Sequence, residues 1–174
     1  MKRLSLISTG GTIEKTYDEL AGVMSNRISV LDVMLASLEL RGVHIDRVAL
    51  MNKDSLDMSE DDHDAIADAV RRELATHDGV VVVHGTDRLA KTGHRVLEVL
   101  AAHGAPRAPV VLTGAMRPYE LRRTDAVQNL TEALLAAQLL APGVYVAMHN
   151  QVLQFPGVEK DYASGTFVKR RHGA

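Results

Sequence analysis

Three apolar runs in this chain each stop at a glycine: "RLSLIST" (3–9) before Gly10, "GVVVVHG" (79–85) and "APVVLTG" (108–114). They are short, rich in β-branched residues and end at glycine, the pattern of buried parallel strands. Further strands are expected at "VHIDRVAL" (43–50) and "GVYVAMHN" (143–150). Between them, apolar residues recur at helical spacing in "SVLDVMLASLELRG" (29–42), "SEDDHDAIADAVRREL" (59–74), "RLAKTGHRVLEVLAAHG" (88–104) and "TDAVQNLTEALLAAQLL" (124–140). Strand and helix in alternation predict an α/β fold, a mainly parallel sheet flanked by helices on both faces. The 174 residues suit one domain, 1–174, with a basic tail from about 169.

Local signals set expected boundaries. Ser29 reads as an N-cap and Gly42 as a C-cap; Ser59, with Asp62 three residues on, reads as a capping box. Gly93 weakens the helix that contains it. The connection from Gly10 to Ile28 is too long for a plain turn and suggests a lid, a binding loop or disorder. After Asn150 no period is clear, and a hairpin or irregular cover is expected, ending in a loose terminus.

Charge and composition narrow the partners. Twenty basic and 22 acidic residues are intermixed, for a net charge of −2, so no basic face for nucleic acid is written into the chain. There is no cysteine, which excludes disulfides, thiol catalysis and cysteine-ligated zinc and suits a cytoplasmic protein. No run approaches membrane-spanning length. The eight histidines show no metal-site spacing, and His84, His94 and His149 are expected to be structural or exposed.

In open α/β sheets, ligands sit beyond the carboxyl ends of the strands. There this chain puts Thr9, Gly10, Gly11 and Thr12; Gly85, Thr86 and Asp87; Gly114 and Arg117; and Asp54, Ser55 and Asp57. A threonine hydroxyl becomes a nucleophile when a neighbour takes its proton and donors stabilise the oxyanion that forms. Tyr17 could accept that proton if Lys15 lowered its pKa. Thr86 and Asp87, given a lysine, could orient a water or bind an ammonium group. On a plainer view, Gly10 and Gly11 turn a tight corner, Thr86 and Asp87 start a helix, and Ser55 and Asp57 cap a turn. "GTDRLAKT" (85–92) imitates a phosphate-binding loop, but Ala90 stands where that loop needs glycine.

Taken together, "TGGTI" after a strand, "DSLDM", "VVVHGTD" and "LTGAMRP" followed by "TDAVQNL" resemble the bacterial-type asparaginases and glutaminases, over about Arg3 to Val152. The resemblance implies hydrolysis of the asparagine side-chain amide to aspartate and ammonia, without a cofactor or metal. It implies Thr12 as nucleophile, Tyr17 as the loop tyrosine that activates it, and Ser55, preceded by Asp54, as the substrate-binding serine. Thr86 and Asp87 match the second threonine and the carboxylate that holds the substrate ammonium; Gly11 and Gly85 would lend backbone groups. The chain stops before the family's smaller second domain and so resembles short-chain, single-domain members. The family also carries a lysine that bonds the second threonine. Gln151 stands at its expected place, so Lys160, the nearest lysine beyond, either folds back or turnover suffers. Tyr17 is closer to Thr12 than in long-chain members. A homo-oligomer, dimer or tetramer, is also implied. The rival reading is a non-catalytic amino-acid-binding or nucleotide-binding protein that keeps this fold.

Overall fold

The fold is taken from a computed structural model and described for residues 1–170. The elements in chain order are β1 (Lys2–Gly10), a single 3-10 turn (Thr12–Glu14), β2 (Thr16–Asp18), β3 (Val23–Ser25), α1 (Leu31–Ala36), β4 (Val43–Lys53), a second 3-10 turn (Ser55–Asp57), α2 (Glu60–Glu73), β5 (Gly79–Val83), α3 (Leu89–Ala102), β6 (Pro109–Thr113), α4 (Ala126–Leu139), β7 (Gly143–Met148), β8 (Gln151–Gln154), β9 (Val158–Asp161) and β10 (Thr166–Lys169). The main sheet has the order β4-β1-β5-β6-β7-β8, parallel throughout except for β8.

Alternate residues of each central strand feed two separate cores. Val80, Val82, Val110 and Leu112 meet α2 and α3 on one face, and Val81, Val83 and Val111 meet α1 and α4 on the other. Both faces are therefore dry, which is why these strands read as unbroken apolar runs; each fully buried valine or leucine contributes about 1.5–3 kcal/mol. The crossovers β5–α3–β6 and β6–α4–β7 step the same way across the sheet, yet α3 and α4 cover opposite faces. They cannot share a hand, so one of them departs from the right-handed rule.

The helix expected at 29–42 is only six residues long. Ser29 spends its hydroxyl on Glu14, and Ser37 back-bonds to the Met34 carbonyl at 2.6 Å, closing the helix before Gly42. The strand expected at 143–150 stops at Met148. His149 and Asn150 both have positive φ, 55° and 59°, the turn that folds β7 back into β8. The expected capping box on α2 is present, with Ser59 and Asp62 exchanging bonds. Helix α3 passes through Gly93 unbroken, because the Phe155 ring occupies the space of a side chain there: a β-carbon at Gly93 would lie 2.1 Å from Cζ of Phe155.

The connection from Gly10 to Ile28 is structured, holding the first 3-10 turn and the β2–β3 hairpin. Beyond Gln154, a second hairpin, β9–β10, packs over α3. Of the expected basic tail, Lys169 ends β10 and 171–174 lie outside the described residues.

Candidate active site

The carboxyl ends of β4, β1, β5 and β6 lie side by side, and their loops interlock through glycines. Gly11 has φ 80°, and a β-carbon on it would sit 2.4 Å from Cα of Gly85. At Gly85 a β-carbon would sit 2.5 Å from Oγ of Ser55. At Gly114 it would sit 2.3 Å from the His84 carbonyl oxygen and 3.2 Å from Cγ2 of Thr86. Side chains are missing because four backbones converge, so the loops bearing Thr12, Ser55 and Thr86 share one rim.

Thr86 is almost fully buried and Thr12 half-buried. Lys160 on β9 folds back over Thr86, its Nζ donating to Thr86 Oγ1 at 2.8 Å and to Asp87 Oδ1 at 2.7 Å. Its side chain is 10% exposed and also lies over the Tyr162 ring, 4.8 Å from the centroid. Gln151 is exposed on β8 and takes no part. Thr86 Oγ1 faces Met116 Sδ at 3.7 Å.

Among the described residues, the phenol of Tyr17 makes no hydrogen bond, and 57% of the residue is exposed. Lys15, expected to tune Tyr17, instead donates to Asp54 Oδ2 at 2.6 Å, tying the loop after β1 to the Ser55 turn. Burial alone would raise the Asp54 carboxyl, but the bonds from Lys15 and from the Leu56 N–H outweigh it and hold the group below its ordinary value. Ser55 Oγ is buried without a hydrogen-bond partner among the described residues.

The phosphate-loop imitation fails on geometry as well as on Ala90. Lys91 pairs with Glu60 on α2, and Thr86 is engaged by Lys160.

Further residues around the site were not among its expected members. Glu14 is buried directly after the Thr12 turn starts and accepts from the Gly10 N–H at 3.2 Å and from Ser29; desolvation raises its carboxyl above the ordinary value despite these bonds. Asn26 donates to the Gly11 carbonyl at 2.8 Å. Asp125 takes bonds from the Met116 and Arg117 N–H groups, Asn129 and His149, fixing the loop after β6. The block "TDAVQNL" marks this last network, but the partners of Glu14 and Asn26 are brought to them only by the fold.

A model of the asparaginase N-terminal family matches residues 3–168. An L-asparaginase of Thermococcus kodakarensis is 33% identical over 165 residues, covering 94% of this chain and 49% of that protein. A glutamyl-tRNA(Gln) amidotransferase subunit of Aeropyrum pernix is 36% identical over 154 residues, 86% of this chain and 35% of that protein. The solved structure of the thermostable L-asparaginase from Thermococcus kodakarensis superposes with a TM-score of 0.83 at 31% identity, over 96% of this chain and 51% of that one. A probable cytoplasmic L-asparaginase from Campylobacter jejuni gives a TM-score of 0.75 at 27% identity, over 97% of this chain and 52% of that one. The chain spans a third to a half of these relatives.

Proposed function

This chain belongs to the asparaginase family, and from that premise we propose that its strand-end site hydrolyses the side-chain amide of free L-asparagine to L-aspartate and ammonia. The observation that carries the reading is Lys160 bonded to both Thr86 and Asp87 beneath the rim that Thr12 shares.

On this reading Thr12 Oγ1 bonds to the amide carbon as its proton passes to a base, Tyr17, carried over the substrate when the β2–β3 hairpin closes. The amide nitrogen takes that proton back from Tyr17 and leaves as ammonia, so the C–N bond breaks as the ester forms. A water oriented by Thr86 then gives its hydroxyl to the acyl carbon and its remaining proton to the Thr12 oxygen, releasing aspartate and restoring the Thr12 hydroxyl. Lys160 donates to Thr86 and polarises its lone pairs, while the Thr86 proton rests on the weak acceptor Met116 Sδ, from which a substrate or water oxygen can draw it. Lys160 occupies Oδ1 of Asp87 and leaves Oδ2 for the substrate ammonium. Ser55 and Asp54 bind the other polar groups of the amino acid, and the Gly11 and Gly85 backbones line its path. Direct attack by water, with no covalent stage, uses the same groups.

The reading treats 1–174 as one asparaginase N-terminal-like domain that needs no cofactor or metal and assembles as a dimer or tetramer, to be read by sedimentation. Likeness to the Campylobacter jejuni protein supports a cytoplasmic location. No helix among the described residues is long and apolar enough to cross a membrane. The amidotransferase subunits among the relatives make glutamine the substrate to compare. The test is ammonia release from asparagine and glutamine by purified protein, alongside Thr12→Ala and Thr86→Val. Aspartate binding without ammonia release would favour the non-catalytic rival.

A further inference from the structure

Behind Thr86 a buried chain of hydrogen bonds crosses three elements. His84 Nδ1 lies 2.8 Å from the Gly85 carbonyl oxygen, His84 Nε2 lies 2.7 Å from Thr92 Oγ1 on α3, and Thr92 Oγ1 lies 2.7 Å from His63 Nδ1 on α2. His84 and Thr92 are 0% exposed and His63 is 1% exposed, and the two imidazoles stack with centroids 6.4 Å apart.

The protons follow from the acceptors. A carbonyl oxygen accepts only, so His84 Nδ1 carries hydrogen and donates to Gly85. A neutral His84 then has a bare Nε2, which must take the Thr92 hydroxyl proton. The Arg88 carbonyl, 3.3 Å from Thr92 Oγ1, is the weaker acceptor for that proton. With its proton spent, Thr92 can only accept from His63, so His63 also carries its hydrogen on Nδ1. The chain ends at His63 Nε2, a bare lone pair without a hydrogen-bond partner among the described residues. The polarity has one direction, from α2 to the Gly85 carbonyl.

That direction bears on the site. The Gly85–Thr86 peptide is trans, so a carbonyl turned toward His84 aims the Thr86 N–H the opposite way, away from the imidazole. Among the described residues that N–H donates no hydrogen bond. An all-apolar set of side chains would fill this volume without desolvating two imidazoles and a hydroxyl, so packing alone does not account for the chain. We propose that His63, Thr92 and His84 form a positioning network that locks the Gly85–Thr86 peptide in register with Lys160, presenting the Thr86 hydroxyl and N–H to the substrate. The proposal rests on the amidohydrolase reading.

The experiment compares Thr92→Val and Thr92→Ser with the wild type in steady-state ammonia release, with nitrogen-15 NMR of the wild-type imidazoles. Valine keeps the volume and removes the hydroxyl: kcat falls about tenfold with KM within about twofold, and Thr92→Ser stays within about twofold of wild type, because the loss is in orientation rather than in contact. Both histidines carry hydrogen on Nδ1. Thr92→Val with wild-type kcat, or His84 with hydrogen on Nε2, overturns the network. Wild-type protein that releases no ammonia removes the reading beneath it, a result distinct from an active wild type indifferent to Thr92. Should Thr92→Val not fold, the wild-type tautomers decide.

Discussion

Lys160 reaches back 74 positions to donate to the hydroxyl of Thr86 at 2.8 Å, and the same ammonium holds Asp87 at 2.7 Å. One cation thus fixes two groups of a loop that the His84 imidazole and the Met116 sulfur also hold. Lys160→Met keeps the stem and removes the charge. Ammonia release is expected to fall by about 10² to 10³-fold, the range for losing one preorganised electrostatic donor, with an unchanged circular dichroism spectrum. Activity within a few-fold of wild type would show that the trio is only structural.

Gly11 has no room for a methyl group. With φ 80° and the Gly85 backbone 2.4 Å from a would-be β-carbon, Gly11→Ala forces the Thr12 and Thr86 loops apart. A stability loss of about 2 kcal/mol or more is expected in urea titration, and loss of turnover persists at temperatures where the variant remains folded. A variant as stable and active as wild type would mean that the two loops are not in contact in solution.

Packing of the Lys160 hairpin can be tested away from the chemistry. Phe155 fills the notch over Gly93, so Gly93→Ala overpacks the site and should cost about 1–3 kcal/mol although alanine is the better helix former. Phe155→Leu in the same chain should recover part of the loss. A stabilised Gly93→Ala protein would contradict the contact.

Acid should weaken the fold before its carboxylates titrate. Burial pulls the His84 imidazole down from 6.5 to about 4, although its bond to the Gly85 carbonyl pulls the other way. His63 is lowered for the same first reason, desolvation. The folded value lies below the unfolded one, so the unfolded chain binds more protons between them. The His84 contribution is complete above about pH 6.5 and is lost as pH falls toward 4, up to about 3 kcal/mol. Glu14 works against this: its raised pKa means that acid relieves a buried charge. Urea unfolding between pH 7 and 4.5 should show falling stability, with a shallower slope in His84→Phe. An equal slope in that variant would assign the effect elsewhere.

Much of this was readable because it depends on near neighbours in sequence. A run such as Val80–Val83 can only be a strand dry on both faces, the repeat in α2 and its Ser59–Asp62 box define a helix, and the glycines after β1 and β5 mark where backbones must approach. The β2–β3 hairpin escaped notice because three-residue strands have too little period to read. Helix α1 is shorter than its periodicity predicts because Ser29 bonds to Glu14 and Ser37 turns back to the Met34 carbonyl, contacts that a repeat does not reveal.

The sequence by itself therefore determined the layered α/β fold and the threonines, carboxylates and glycines at its strand ends, since periodicity and turn chemistry act over a few residues. Only tertiary structure decided that Lys160 rather than Gln151 meets Thr86, that Lys15 serves Asp54 rather than Tyr17, and that His84 is wired through Thr92 to His63. Those pairings join residues 8 to 74 positions apart, and are set by which faces bury together and which polar groups must then find partners away from water.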